Sequence, residues 1–130
     1  MIDKGNETVL VVDDEPTVLK MTTTMLERLG YSVLIASMPA EAIRLTEKHG
    51  KEIDLLLTDI IMPEMNGRDL AERLLSNQPG MRCLYMSGYT ANIISKKGEL
   101  DDGVFFIQKP FTQKELAAKI REVLDGGLRK

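Results

Sequence analysis

The sequence predicts an α/β domain built on a doubly wound parallel sheet of five strands. Short apolar, β-branched runs alternate with segments of helical periodicity along all 130 residues. The third run, residues 53–58, is apolar almost throughout, as a strand covered on both faces must be. Acidic residues stand where the first and third runs end, Asp13-Asp14 after Val12 and Asp59 after Thr58. Open parallel sheets collect their chemistry beyond these carboxyl ends.

Residues 8–12 form the first strand. Val18, Met21, Met25, Leu26 and Leu29 then recur at helical spacing, with Pro16 in the opening turn and Gly30 as the stop. Residues 31–36 read as the second strand; Ser37 is placed to cap the next helix, which has Pro39 in its first turn, Ala42, Ile43 and Leu45 inside, and His49-Gly50 at its end. After the third strand, Pro63 and Asn66-Gly67 mark a loop, and Leu70, Ala71, Leu74 and Leu75 give a helix stopped by residues 77–80. Residues 82–86 and 104–107 are the fourth and fifth strands. Between them, residues 91–97 can form only a poor helix, and Gly98 and Gly103 weaken it. Thr112-Gln-Lys-Glu115 is a capping-box pattern, and Leu116, Ile120, Val123 and Leu124 supply the buried stripe of the last helix.

Right-handed crossovers between such strands leave two common sheet orders. The flavodoxin-like order 2-1-3-4-5 puts its topological switch between strands one and three, the strands that carry Asp13, Asp14 and Asp59. The acids and the topology therefore support each other. A single domain accounts for the whole length. A net charge of −3 with no basic cluster argues against nucleic-acid binding. Cys83 is the only cysteine, so no internal disulfide can form, and it reads as a buried structural thiol. No apolar run approaches a membrane span and Met1-Ile2-Asp3-Lys4 does not open a signal peptide, so no membrane contact and a cytoplasmic location are expected.

Three carboxylates converging on one crevice repel each other unless a cation joins them. With Lys109 following the fifth strand, the pattern reads as a magnesium-dependent site that handles phosphate. Asp13-Asp14, Asp59 followed by Ile60-Ile61-Met62-Pro63, Ser87 after the fourth strand and Lys109-Pro110 after the fifth together resemble the receiver domain of two-component response regulators, over residues 8–124. The resemblance implies that Asp59 is the nucleophile that takes a phosphoryl group from a phosphohistidine. Asp14 and Asp59 would ligate Mg²⁺ (Mn²⁺ being a possible substitute) with the Ile61 backbone carbonyl, and Asp13 would act through a metal-bound water. Lys109 and the Ser87 hydroxyl would meet phosphoryl oxygens. Lys109-Pro110 corresponds to the family's cis peptide.

In the family, the residues matching Ser87 and Phe106 act as a switch that reshapes the surface of the fourth helix, fifth strand and fifth helix, where a downstream partner docks. Here Phe106 lacks the hydroxyl of the tyrosine often found there, and Ser87 lacks a threonine methyl. Ile61 and Tyr89, bulky at positions flanking the phosphoryl group, are expected to slow its hydrolysis. His49, the only histidine, ends the second helix away from the acids, so the donor would be a sensor histidine kinase or histidine phosphotransfer domain. Residues 86–90, 98–103 and 109–112 look like the C-terminal receiver of a hybrid sensor histidine kinase. On that view residues 1–7 are a linker or tag remnant, 8–126 the receiver domain and 127–130 a tail. The domain itself would be no enzyme beyond its own phosphorylation and dephosphorylation, whereas a full-length hybrid parent would be a histidine kinase. A stand-alone single-domain regulator is the main alternative. An aspartate-nucleophile phosphohydrolase fits poorly, because Ile61 stands where such enzymes carry a second aspartate. A pseudo-receiver would have lost Asp59, Asp14 or Lys109, and all three are present.

Overall fold

The structure is a computed structural model that describes residues 5–62, 65–88 and 105–126. The weak helix expected at residues 91–97 lies outside them, as do Pro63, Tyr89 and Val104. The elements are β1 (Thr8–Val12), α1 (Pro16–Arg28), β2 (Ser32–Ala36), α2 (Pro39–His49), β3 (Leu55–Asp59), α3 (Gly67–Asn77), β4 (Arg82–Ser87), β5 (Phe105–Gln108) and a C-terminal helix (Gln113–Gly126), with one 3₁₀ turn, Gly50–Glu52, after α2. All neighbouring strands pair in parallel, in the expected order β2-β1-β3-β4-β5.

Alternation along the strands divides the core into two layers. Val9, Val11, Leu55, Leu57, Leu84, Met86 and Ile107 face one way and pack with Leu19 and Leu26 of α1 and Leu116, Ile120 and Val123 of the C-terminal helix. Leu10, Val12, Leu56 and Tyr85 face the other way, toward Ala42 of α2 and Leu70, Ala71 and Leu74 of α3. Burying a side chain of this size stabilises the fold by roughly 1.5–3 kcal/mol. The two layers clamp the sheet from both faces, so the ends of its strands become the natural place for a crevice.

Several local expectations are met, and some need correction. Gly30 closes α1 with a φ of 99°, the left-handed region in which a β-carbon is strained. The Thr112 hydroxyl accepts from the Glu115 N–H at 3.0 Å and the Glu115 carboxylate accepts from the Thr112 N–H at 2.8 Å, a complete capping box. Ser37 does not cap α2: Met38 holds the N-cap position, and the Glu41 carboxylate instead accepts from the Ser37 N–H at 2.8 Å. Strands three, four and five each run one residue further than expected, to Asp59, Ser87 and Gln108. Strand two begins at Ser32 and strand three at Leu55, later than expected in each case. Cys83 is half-buried rather than buried, though the desolvation of its sulfur pushes the thiol up to about 12.

The chain entry is also tied down. Gly5 N–H donates to the Leu29 carbonyl at 3.0 Å, and the Arg121 guanidinium takes both Glu7 oxygens at 2.9 and 3.1 Å while reaching Asp125 at 2.7 Å. Gly5 and Glu7, expected in a linker, are thus hydrogen-bonded to the domain. Among the described residues no helix is long and apolar enough to cross a membrane.

Candidate functional site

The crevice lies where β1, β3, β4 and β5 end. Past Val12 the β1 ladder continues for one residue, Asp13 N–H donating to the Ala36 carbonyl at 3.2 Å. This fixes Asp13 with its side chain fully buried. One Asp13 oxygen, Oδ1, accepts from the Glu15 N–H at 2.9 Å; the other, Oδ2, lies 3.2 Å from Lys109 Nζ. Asp14, the next residue, is exposed and turns toward the same cavity.

Asp59 is the last residue of β3, in register with Met86 of β4, and only 7% of it is exposed. The chain leaves it by a tight path, because Ile60 N–H donates to Met86 O at 3.0 Å and Gly67 N–H to Ile60 O at 2.6 Å. A β-carbon at Gly67 would press on the Asp59 carbonyl oxygen, so this turn requires glycine. Asn66 then caps α3, its side chain accepting from Asp69 N–H at 2.8 Å. On the far side, Lys109 N–H donates to the Ser87 carbonyl at 2.7 Å, and the Lys109-Pro110 peptide is cis, as expected. Lys109 Nζ then reaches Asp59 Oδ1 at 3.2 Å.

Asp13, Asp14 and Asp59 each offer one carboxylate oxygen, all within 4.8 Å of one another. An oxygen-only set of carboxylates suits a hard divalent cation rather than zinc or copper, so the cluster can hold a metal ion. Burial pushes the Asp59 carboxyl up to about 6; Lys109 opposes the shift, and Asp13 and Asp14 add to it. Burial pulls the Lys109 ammonium down, but Asp59 and Asp13 outweigh it, and the net shift is upward.

Of the residues singled out from sequence, Asp14, Asp59, Ile61 and Lys109 line one cavity of about 340 Å³, and Asp13 contacts it through Lys109. Ser87 is buried at the end of β4, one residue beyond the partner of Asp59, and joins Lys109 through its backbone. Phe106 lies apart, half-buried on β5 against the α2–α3 layer. His49 pairs with Glu52 at 3.1 Å at the end of α2, consistent with no part in the site. Glu15 and Gly88 also line the cavity and were not singled out. The place of Glu15 directly after two aspartates hints at the crevice, but an acid before Pro16 is equally a helix start.

The sequence profile of the response regulator receiver domain matches residues 9–121. Over 121 residues, 93% of this chain, the sequence is 34% identical to the sensor kinase CckA of Brucella abortus, of which that match covers 13%. It is 30% identical to the response regulator receiver protein CpdR of the same species over 89% of this chain and 95% of that protein. The chain spans 13–49% of the length of several longer curated relatives. Among solved structures, a response regulator receiver domain protein from Clostridium thermocellum aligns with a TM-score of 0.79 at 29% identity, covering 94% of this chain and 97% of that one. The receiver domain of the hybrid histidine kinase CckA aligns at 0.68 with 31% identity, covering 88% and 96%. By sequence, by sheet order and by the acids and lysine at its strand ends, this chain belongs to the response regulator receiver domain family of two-component systems.

Proposed function

We propose that this domain accepts a phosphoryl group on Asp59 from a phosphohistidine of a sensor histidine kinase or histidine phosphotransfer domain. The observation that carries this is a buried carboxylate 3.2 Å from the Lys109 ammonium, in a crevice shared with Asp13 and Asp14. An Asp59 oxygen forms the new P–O bond while the P–N bond of the phosphohistidine breaks, its electron pair leaving with the imidazole nitrogen. Asp14, Asp59 and the Ile61 backbone carbonyl would hold Mg²⁺, with Asp13 behind a water. The cation, when bound, neutralises charge on the phosphoryl oxygens. Lys109 presents its ammonium to a phosphoryl oxygen from the β5 side, and the Ser87 hydroxyl donates to another. One such preorganised donor is commonly worth roughly 3 kcal/mol of transition-state stabilisation. Ser87 and Phe106 form the switch, and the downstream partner binds beside β5 and the C-terminal helix; the fourth helix of that surface lies outside the described residues.

Similarity to the CckA receiver supports an origin in a hybrid sensor histidine kinase, with residues 8–126 as its receiver. Near full-length similarity to CpdR supports the stand-alone alternative. Phosphohydrolase chemistry is not favoured, because Ile61 supplies no general acid. The test is incubation with acetyl phosphate and Mg²⁺ followed by intact mass. One phosphoryl group is expected on the native chain, none on Asp59→Asn and none on either when EDTA replaces Mg²⁺. No gain on the native chain points instead to docking without phosphorylation.

A further inference from the structure

Lys109 is the only base lining the acidic cavity among the described residues. Its ammonium stands 3.2 Å from Asp13 Oδ2, 3.2 Å from Asp59 Oδ1 and 3.9 Å from Glu15 Oε1. In this arrangement it is the internal counter-ion of the very carboxylates that a divalent cation would use. Ammonium and cation would draw on the charge of the same carboxylates, so a cation entering the cluster weakens their hold on Lys109. A largely buried ammonium that loses its partners without replacement is costly.

Glu15 is built to supply the replacement. Its backbone is pinned on both sides, the N–H donating to Asp13 Oδ1 at 2.9 Å and the carbonyl accepting from Leu19 N–H at 3.0 Å. Its side chain is 64% exposed, so it can follow the ammonium without disturbing the core. We propose that Glu15 is a positioning residue that receives the Lys109 ammonium when a divalent cation takes over the aspartates, keeping that ammonium beside the crevice. The inference rests on the reading that the three aspartates bind such a cation. Glu15 acts through Lys109 and touches neither the cation nor the phosphoryl group.

Mg²⁺ titration by calorimetry at low ionic strength tests this without any phosphoryl transfer. Glu15→Gln is expected to weaken Mg²⁺ binding by about fivefold, the upper end for an exposed ion pair. Glu15→Asp keeps the charge but loses the reach, and is expected to behave like Glu15→Gln. In a Lys109→Met background the Glu15→Gln loss should shrink to less than about twofold, because no ammonium is left to receive. Should Lys109→Met not fold, Glu15→Asp decides alone. Native-like Mg²⁺ affinity in Glu15→Asp, or a Glu15→Gln loss undiminished without Lys109, overturns the role of Glu15 and leaves the cation site standing. Absence of Mg²⁺ binding to the native chain overturns the cation site and this role together.

Discussion

Asp59 holds its position against its own electrostatics. Its carboxyl titrates near 6 in the fold, against an ordinary value of 3.8, because burial outweighs the help of Lys109. Between those two values the folded chain binds more protons than the unfolded chain, so stability falls as pH rises through that window and the full cost stands above about 6. Asp59→Asn removes the cost. In EDTA at pH 7, urea unfolding should show the variant more stable than the native chain by up to roughly 3 kcal/mol, with the gain gone near pH 4. A loss at pH 7, or an equal gain at both values, would contradict the cause assigned here. The same physics made Asp13, Asp14, Asp59 and Lys109 legible from sequence, since charges at the ends of apolar strands have few roles other than chemistry. Glu15 was not legible, because an acid before Pro16 reads equally well as the start of a helix. Its side chain is assigned to the crevice by its place in the cavity lining and its 3.9 Å approach to Lys109.

At the level of elements, apolar periodicity located every strand and helix that the structure describes, and the errors fell at their ends. Asp59, Ser87 and Gln108 looked like stops because they are polar, yet a parallel ladder needs only their backbones. Asp59 and Ser87 thus close their strands at the rim of the sheet, and Asp13, Asp14 and Lys109 follow directly after the ends of β1 and β5. Ser37 misled for a related reason: a serine before a proline-led helix suggests a cap, but Glu41 reached back to its N–H instead. The capping box of the C-terminal helix was readable because its two reciprocal bonds have a fixed spacing. Thr112→Ala should cost about 1 kcal/mol in urea unfolding. Threonine 112 follows Lys109-Pro110 by only two residues, so the same change should also lower the rate of phosphorylation by acetyl phosphate if the helix start helps to aim the lysine. No change in stability would show that the cap is made by other groups.

The molecule as a whole separates its anchors from its chemistry. At the amino ends of the strands, Arg121 binds Glu7 and Asp125 and joins the entry of the chain to its last helix. At the carboxyl ends, three segments distant in sequence bring Asp13, Asp14, Asp59 and Lys109 within a few ångströms, between two apolar layers that hold the strand ends in register. Sheet order 2-1-3-4-5 was readable because only that order sets strand one beside strand three with both sets of acids at the switch point. The central claim is that this convergence makes Asp59, and no other carboxylate, the phosphoryl acceptor. Borohydride reduction of the chain after treatment with acetyl phosphate and Mg²⁺, followed by peptide mass mapping, tests it most directly. An acyl phosphate at residue 59 is reduced to an alcohol, and the modification should appear in that peptide alone; reduction at Asp13, Asp14 or elsewhere, with residue 59 unmodified, would contradict the account.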